Sequence, residues 1–360
     1  MSPMTRGCSP NGVPTLDVAR YYERRAVGGC GLVITEGVGV DHQSALGDAG
    51  LGENQIPIMY GGAALAGWKR VVEKVHAAGS RIIPQLWHQG VMRIAGTGPN
   101  PSAPTIGPSG LWGPIGRTAL EPEKVPKDPF IGPAMTEEDI ADVISSFTRA
   151  ARAAKSVGFD GIALHGAHGY LLDNFLWEGT NTRSDGWGGN RKRRTEAVVH
   201  VVRGVRAAIG PDLPIFFRFS QWKQQDLNAQ LAGTPSELEE ILGPLADAGV
   251  DVFDASVRYF DRAAFPDSDL NLAGWAKKLT GQYSMAVGGI GLGVNKGPFG
   301  GGAPLDLNDN LRRVQYRLER GEFDLIALGR ALIADAKWPM KVQSGQTPET
   351  YSRCQLDALI

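Results

Sequence analysis

Eight short apolar runs, spread along nearly the whole chain and separated by longer amphipathic stretches, constrain the fold more than any other feature. They lie at residues 2–5, 32–36, 81–86, 161–164, 215–219, 252–255, 284–287 and 325–328. Unbroken apolarity over so few residues is what a strand buried on both faces requires. Between most of them, residues 16–27, 63–78, 136–157, 194–209, 236–248 and 305–320 carry apolar side chains at helical spacing. Strands alternating with helices predict βα units around a parallel sheet. Eight such units with no internal repeat and no clean linker predict a single α/β domain over residues 1–360, a closed (β/α)8 or TIM barrel, with a doubly wound sheet as the fallback. One helix start is chemically signalled. Thr136 is followed by Asp139 and then by Ile140, Val143, Ile144 and Phe147, the pattern of a capping box.

Two stretches break the rhythm. Residues 96–133 are rich in Pro and Gly and have no sustained period. Irregular segments this long in compact domains are usually functional, so an excursion at about 92–134 is expected to be a lid or active-site loop. Residues 291–303 are glycine-rich and follow the seventh run.

Composition removes several function classes. Lys and Arg number 37 against 38 Asp and Glu, giving a formal charge of −1, so neither nucleic acid nor an anionic membrane is an expected partner. No run of about 18 apolar residues predicts a membrane span, and the N-terminus lacks the pattern of a secretion signal. The three cysteines, Cys8, Cys30 and Cys354, form no CxxC pair or metal-ligand spacing, which fits a reducing cytoplasm better than an oxidised setting. The basic run Arg191-Lys192-Arg193-Arg194 is expected to be the solvated start of a helix, with phosphate or partner binding as the lesser reading.

Chemistry concentrates at the ends of the runs, where barrels collect their catalytic groups. His165-Gly166-Ala167-His168-Gly169-Tyr170-Leu171-Leu172-Asp173-Asn174-Phe175 follows the fourth run. It offers two imidazoles to hold an oxygen and a phenol to move a proton. Gly288-Gly289 and Gly329-Arg330 follow the seventh and eighth runs. There backbone N–H groups and a guanidinium suit a phosphate. Gln85 and Arg218 lie within apolar runs. A buried Arg demands an anionic or strongly accepting partner, and a structural salt bridge would serve as well as a ligand. Taken singly, Tyr170 and His168 also suit a satisfied core tyrosine and histidine. A metal site using His165, His168 and His88 is a further reading, weakened by the lack of an acidic residue beside the pair.

Together these motifs resemble the Old Yellow Enzyme family of FMN-dependent ene-reductases. The resemblance spans nearly the whole chain and keeps motif order: Pro3-Met4-Thr5-Arg6, Thr35-Glu36-Gly37, Gln85-Leu86-Trp87-His88, the block from His165 to Phe175, Asn181-Thr182-Arg183-Ser184-Asp185 with Gly188-Gly189, Arg218, Gly288-Gly289 and Gly329-Arg330. It implies that Pro3, Met4, Thr5, Gly37, Gln85, His165 and Arg218 line the flavin, with Arg218 facing the negative charge of its reduced form. It implies that Gly288, Gly289, Gly329 and Arg330 hold the phosphate. His165 and His168 would bind a carbonyl or nitro oxygen, and Tyr170 would protonate the substrate after hydride transfer from flavin N5. The implied cofactors are FMN with NADPH or NADH as reductant, and the implied partner is a small activated alkene. No metal is implied.

Three departures from the family pattern carry expectations. Met1 stands only two residues before Pro3, where the family has some two dozen residues including most of strand one, so the barrel is expected to have a truncated first strand. Trp187 replaces the usual Tyr, and residues 291–303 differ near the phosphate. The rival readings are a non-catalytic flavin-binding barrel and a metal-dependent barrel hydrolase. The larger relatives of this barrel that carry an iron–sulfur cysteine cluster are set aside, because the cysteines are missing.

Overall fold

The computed structural model describes residues 1–47, 55–114, 116, 118, 120–292, 306–356 and 358–359. In chain order the elements are α1 (Leu16–Val27), β1 (Leu32–Gly39), α2 (Gly62–Ala77), β2 (Arg81–Trp87), α3 (Glu137–Val157), β3 (Ile162–His165), α4 (Leu171–Leu176), α5 (Arg191–Ile209), β4 (Ile215–Phe219), α6 (Pro235–Ala248), β5 (Val252–Ser256), α7 (Leu272–Thr280), β6 (Tyr283–Val287), α8 (Leu307–Glu319), β7 (Leu325–Ala327), α9 (Arg330–Ala334) and α10 (Trp338–Gln343). All strands pair in parallel and in sequence order from β1 to β7.

The sheet has a core on each face. On its inner face each strand contributes one residue to a single apolar cluster: Ile34, Ile83, Ala163, Phe216, Val252, Met285 and Ala327. This is a layer of the kind that fills a barrel interior. The larger cluster lies between the sheet and its helices and includes Val33, Ile82, Leu164, Phe217 and Phe253 against Trp68, Phe147, Val198 and Leu238. Near-continuous apolarity in the runs follows from this double burial.

Of the eight runs, the first does not form a strand. The Met1 amine donates to Leu32 O at 2.6 Å, and Ile34 N donates to Met1 O at 3.1 Å, which is the parallel-ladder pattern opposite Val33. Ser2 N donates to Leu328 O at 2.8 Å on the other side. Two residues therefore touch both ends of the sheet, and Pro3 has no N–H to extend the ladder. Among the described residues β1 and β7 do not pair with each other. A cavity of about 440 Å³ lies between them, lined by Met1, Leu32, Ile34, Met285, Leu325 and Ile326.

The capping box at Thr136 forms: Asp139 N donates to Thr136 Oγ1 at 3.1 Å and Thr136 N donates to Asp139 Oδ2 at 2.8 Å. Such a cap stabilises a helix by about 1 kcal/mol. α5 starts earlier than its apolar pattern, because Asn190 caps it by accepting from Arg193 N. The basic run is thus the first turn of α5, but it is not uniformly solvated. Arg194 is buried and donates to Leu176 O and Gly189 O, while Arg191 pairs with Glu237 at 2.7 Å. α4, α7, α9 and α10 were not anticipated.

Two arginines order the long excursion. Arg93 donates to the carbonyls of Leu46, Thr97, Asn100 and Ala103. Arg183 forks onto Asp185 and donates to Pro108 O and Met135 O. The Asn181–Asp185 motif therefore fastens the excursion to the segment after β3. Trp187 packs edge-to-face on His200 at 5.6 Å, a packing role.

Candidate active site

Strand period places the polar groups. A residue two positions after the inner apolar layer points the same way, one step nearer the C-terminal mouth. Ile83 leads to Gln85, Ala163 to His165, Phe216 to Arg218 and Val252 to Asp254. His165 lies opposite Arg218, and Arg218 opposite Asp254. A bulge between Ile34 and Gly37 brings Gly37 opposite Gln85, and bulges are frequent beside active sites.

Arg218 is not left waiting for a ligand. Its Nε donates to Asp254 Oδ2 at 2.6 Å and its Nη2 to Ser2 Oγ at 2.9 Å, with both charged partners buried. Asp254 supplies an anion for the apolar setting of this guanidinium. The sequence could not show this, because the partner is 36 residues away on the next strand.

Three rings form one contiguous group. His165 lies 5.2 Å from His168 and 4.9 Å from Tyr170, both edge-to-face, and Trp87 presents an edge-to-face contact to Tyr170 at 4.8 Å. His168 takes a left-handed backbone with φ of 67°. It is held there by its N–H to Ser220 Oγ at 3.0 Å, by its Nε2 against Ser256 Oγ at 2.7 Å, and by stacking on Trp222 at 4.4 Å. His88 is turned away from this group and meets His42 Nδ1 at 3.1 Å. Among the described residues no three His, Cys, Asp or Glu side chains gather as a metal site.

Burial sets the protonation states. It lowers the pKa of His165 and His168 well below the ordinary value, with Arg218 adding to the effect on both. Both rings are neutral near pH 7 and can offer one N–H each. Burial pushes the Tyr170 hydroxyl up to about 12, opposed by a hydrogen bond from Gln224. The phenol keeps its proton.

The loop after β4 clamps the segment carrying these groups. Lys223 Nζ donates to Asp173 Oδ1 at 2.7 Å, and neither side chain is solvent-exposed. Asp173 Oδ2 accepts from Gly169 N at 2.7 Å. Gly169 takes φ of 84°, a backbone that favours glycine, and a β-carbon there would displace the Gln225 amide. Burial pushes the Asp173 carboxyl up and the Lys223 amine down, and their mutual attraction opposes both shifts. Trp222, Lys223, Gln224 and Ser256 went unrecognised in the sequence. The available signal was an aromatic and a charged residue directly after an apolar run, where barrel sites form.

The glycine pairs converge as expected. Gly288, Gly289, Gly329 and Arg330, with Met4, line a cavity of about 190 Å³. Gly288 has φ of 127°, and a β-carbon there would strike the Val257 carbonyl. Arg330 sits over the Tyr351 ring at 5.8 Å. Of residues 291–303, only Gly291 and Leu292 fall within the described residues.

Glu36 fixes the backbone just after Thr5: its Oε2 accepts from Arg6 N at 2.9 Å and Gly7 N at 3.0 Å. Burial raises its carboxyl to about 7, against those two hydrogen bonds. A raised carboxyl favours the folded state while protonated, so this contribution is lost as pH climbs from the unfolded value of about 4.5 toward 7. Across that window, the wild type should lose about 3 kcal/mol relative to Glu36→Gln. Thermal melts of both proteins at pH 5 and pH 7.5 measure the difference; parallel pH dependence would disprove the assignment.

The mouth also shows what it could hold. Gln85 Nε2 and His165 Nδ1 are buried with no hydrogen-bond partner among the described residues. Such atoms are costly unless something else meets them. They suit the polar edge of a planar heteroaromatic group, and the glycine-lined cavity suits its phosphate.

Residues 1–349 match the NADH:flavin oxidoreductase / NADH oxidase family. The chain is 30% identical to an NADH oxidase of Thermoanaerobacter brockii over 358 residues, covering 97% of this chain and 49% of that protein. It is 29% identical over 355 residues to a chanoclavine-I aldehyde reductase of Penicillium roqueforti, covering 98% and 87%. It spans about half the length of the first curated relatives it matches. Among solved structures, morphinone reductase superposes with a TM-score of 0.77 at 25% identity, covering 99% of this chain and 88% of that one. The Zymomonas mobilis old yellow enzyme homologue gives 0.76, also at 25% identity, covering 99% and 91%. The chain therefore belongs to the NADH:flavin oxidoreductase / NADH oxidase family, that is, to the Old Yellow Enzymes.

Proposed function

We propose that this chain is an FMN-dependent ene-reductase that uses NADPH or NADH to reduce the activated C=C bond of α,β-unsaturated carbonyl or nitro compounds. The observation carrying this reading is the contiguous group of His165, His168 and a protonated Tyr170, with Gln85 Nε2 and His165 Nδ1 unpartnered among the described residues. Family membership adds the flavin.

Pro3, Met4, Thr5, Gly37, Gln85, His165 and Arg218 line the ring site, and Gly288, Gly289, Gly329 and Arg330 hold the phosphate. The flavin, when bound, supplies hydride transfer between the nicotinamide and the substrate. His165 and His168 direct neutral N–H groups at the substrate oxygen and stabilise the charge that develops there. Arg218 and Asp254 form a fixed dipole beside His165. Tyr170 delivers its proton to the α-carbon as general acid. The excursion at about 92–134 acts as the wall or lid of the site, supported by its contacts to the loops after β3 and β4. The whole chain works as one domain, a (β/α)8 barrel in which Met1 and Ser2 stand between β1 and β7, supported by the ladder bonds those residues make to both sheet ends.

The test is made on the purified chain after incubation with FMN and desalting. Retained flavin absorbance, with NADPH oxidation accelerated anaerobically by cyclohexenone and cyclohexanone as product, is the expected result. Retained flavin without acceleration by cyclohexenone or a nitroalkene would support the non-catalytic barrel. Colourless protein holding stoichiometric zinc would support the hydrolase.

A further inference from the structure

We propose that Gln224 is a positioning residue for proton transfer: its side-chain amide turns the Tyr170 hydroxyl proton into the site and stabilises the oxygen after that proton has left. The inference rests on the ene-reductase reading above and assigns a role to a residue outside the motifs.

Three hydrogen bonds make Gln224 a junction. Its Nε2 donates to Tyr170 Oη at 2.7 Å. Its backbone N–H donates to His168 O at 3.2 Å. Its carbonyl accepts from Thr118 Oγ1 of the excursion at 2.8 Å. One residue thus contacts the acid, the segment bearing the oxygen-binding imidazole and the wall of the site. A phenol oxygen that accepts from an amide must point its own O–H elsewhere. Trp87 and His165 fence the Tyr170 ring edge-to-face, so the ring cannot swing to release that bond without breaking both contacts.

Hydride addition to the β-carbon leaves an enolate. Its electron pair forms the new α-C–H bond with the Tyr170 proton, while the O–H pair stays on Tyr170 as phenolate. Water reprotonates the phenolate between turnovers. During that interval the Gln224 N–H is a hydrogen bond to a charged oxygen, which is stronger than one to a neutral oxygen. The opposition of this bond to the burial-driven rise of the Tyr170 pKa agrees in direction.

The experiment compares Gln224→Leu in the wild-type and Tyr170→Phe backgrounds. Reduced holoenzyme is reoxidised either by cyclohexenone or by ferricyanide, which takes electrons without any carbon protonation. Gln224→Leu should slow the cyclohexenone reaction by about 10- to 100-fold, leave ferricyanide reoxidation unchanged, and add nothing once Tyr170 is Phe. Equal slowing with both acceptors, or the same slowing in the Tyr170→Phe background, would overturn the proposal in favour of a general structural role. A second readout does not depend on turnover. With 3-fluorotyrosine at position 170, ¹⁹F NMR should show the phenol titrating higher in Gln224→Leu; an unshifted titration would also overturn it. If cyclohexenone is not reduced by the wild type, the ene-reductase reading fails, and the NMR titration alone decides the role of Gln224.

Discussion

Replacing Tyr170 by Phe should slow alkene reduction by about 10²- to 10⁴-fold, the usual contribution of a positioned general acid. Flavin reduction by NADPH should proceed as before. The variant removes one oxygen from a ring whose packing against Trp87 and His165 is unchanged, so the loss belongs to proton delivery. Stopped-flow measurement of the two half-reactions separates them, and an equal fall in both would remove Tyr170 from the acid role. The pH profile adds a sign. Because burial raises the hydroxyl to about 12, the wild-type oxidative half-reaction should stay flat past about pH 10, where free tyrosine ionises. It should decline only above that.

Lys223→Met should destabilise the protein by about 3–5 kcal/mol, among the largest effects of any single substitution. It leaves the Asp173 carboxylate buried and uncompensated, which costs far more than the intact pair contributes. Asp173→Asn combined with Lys223→Met should recover most of the loss, because Asn removes the orphaned charge while its oxygen still accepts from Gly169 N. Urea denaturation of the three variants gives the comparison. A double variant no better than Lys223→Met would mean that Lys223 acts by filling space. The loop carrying His168 and Tyr170 hangs on this pair, so turnover should fall along with stability.

Much of this architecture was legible in the sequence. Seven of the eight apolar runs are strands, displaced at most by a few residues, because double burial writes a local signature. The helix from Thr136 was legible because its cap is local too. The run at residues 2–5 failed for a physical reason: Pro3 removes a ladder donor, and only Met1 and Ser2 reach the strands. α4, α7, α9 and α10 are six, nine, five and six residues long, too short to establish a period. Of the site, His165, His168, Tyr170 and the glycine pairs converge where the pattern placed them. The pairing of Arg218 with Asp254, of Lys223 with Asp173 and of Gln224 with Tyr170 was invisible. Each joins residues 36–54 positions apart through the fold alone, and nothing local in the sequence marks either partner.

The ends of the sheet have a consequence for behaviour in solution. β7 is an edge strand, and Leu325 and Ile326 are 39% and 38% exposed, with Leu318, Tyr283 and Met340 also exposed. A strand edge bordered by apolar side chains is a template onto which another chain can pair. β7 spans only three residues, and a very short edge strand is one of the devices by which natural sheets limit edge-to-edge association. The apolar border thus offers an intruding chain only a few ladder hydrogen bonds to pair with.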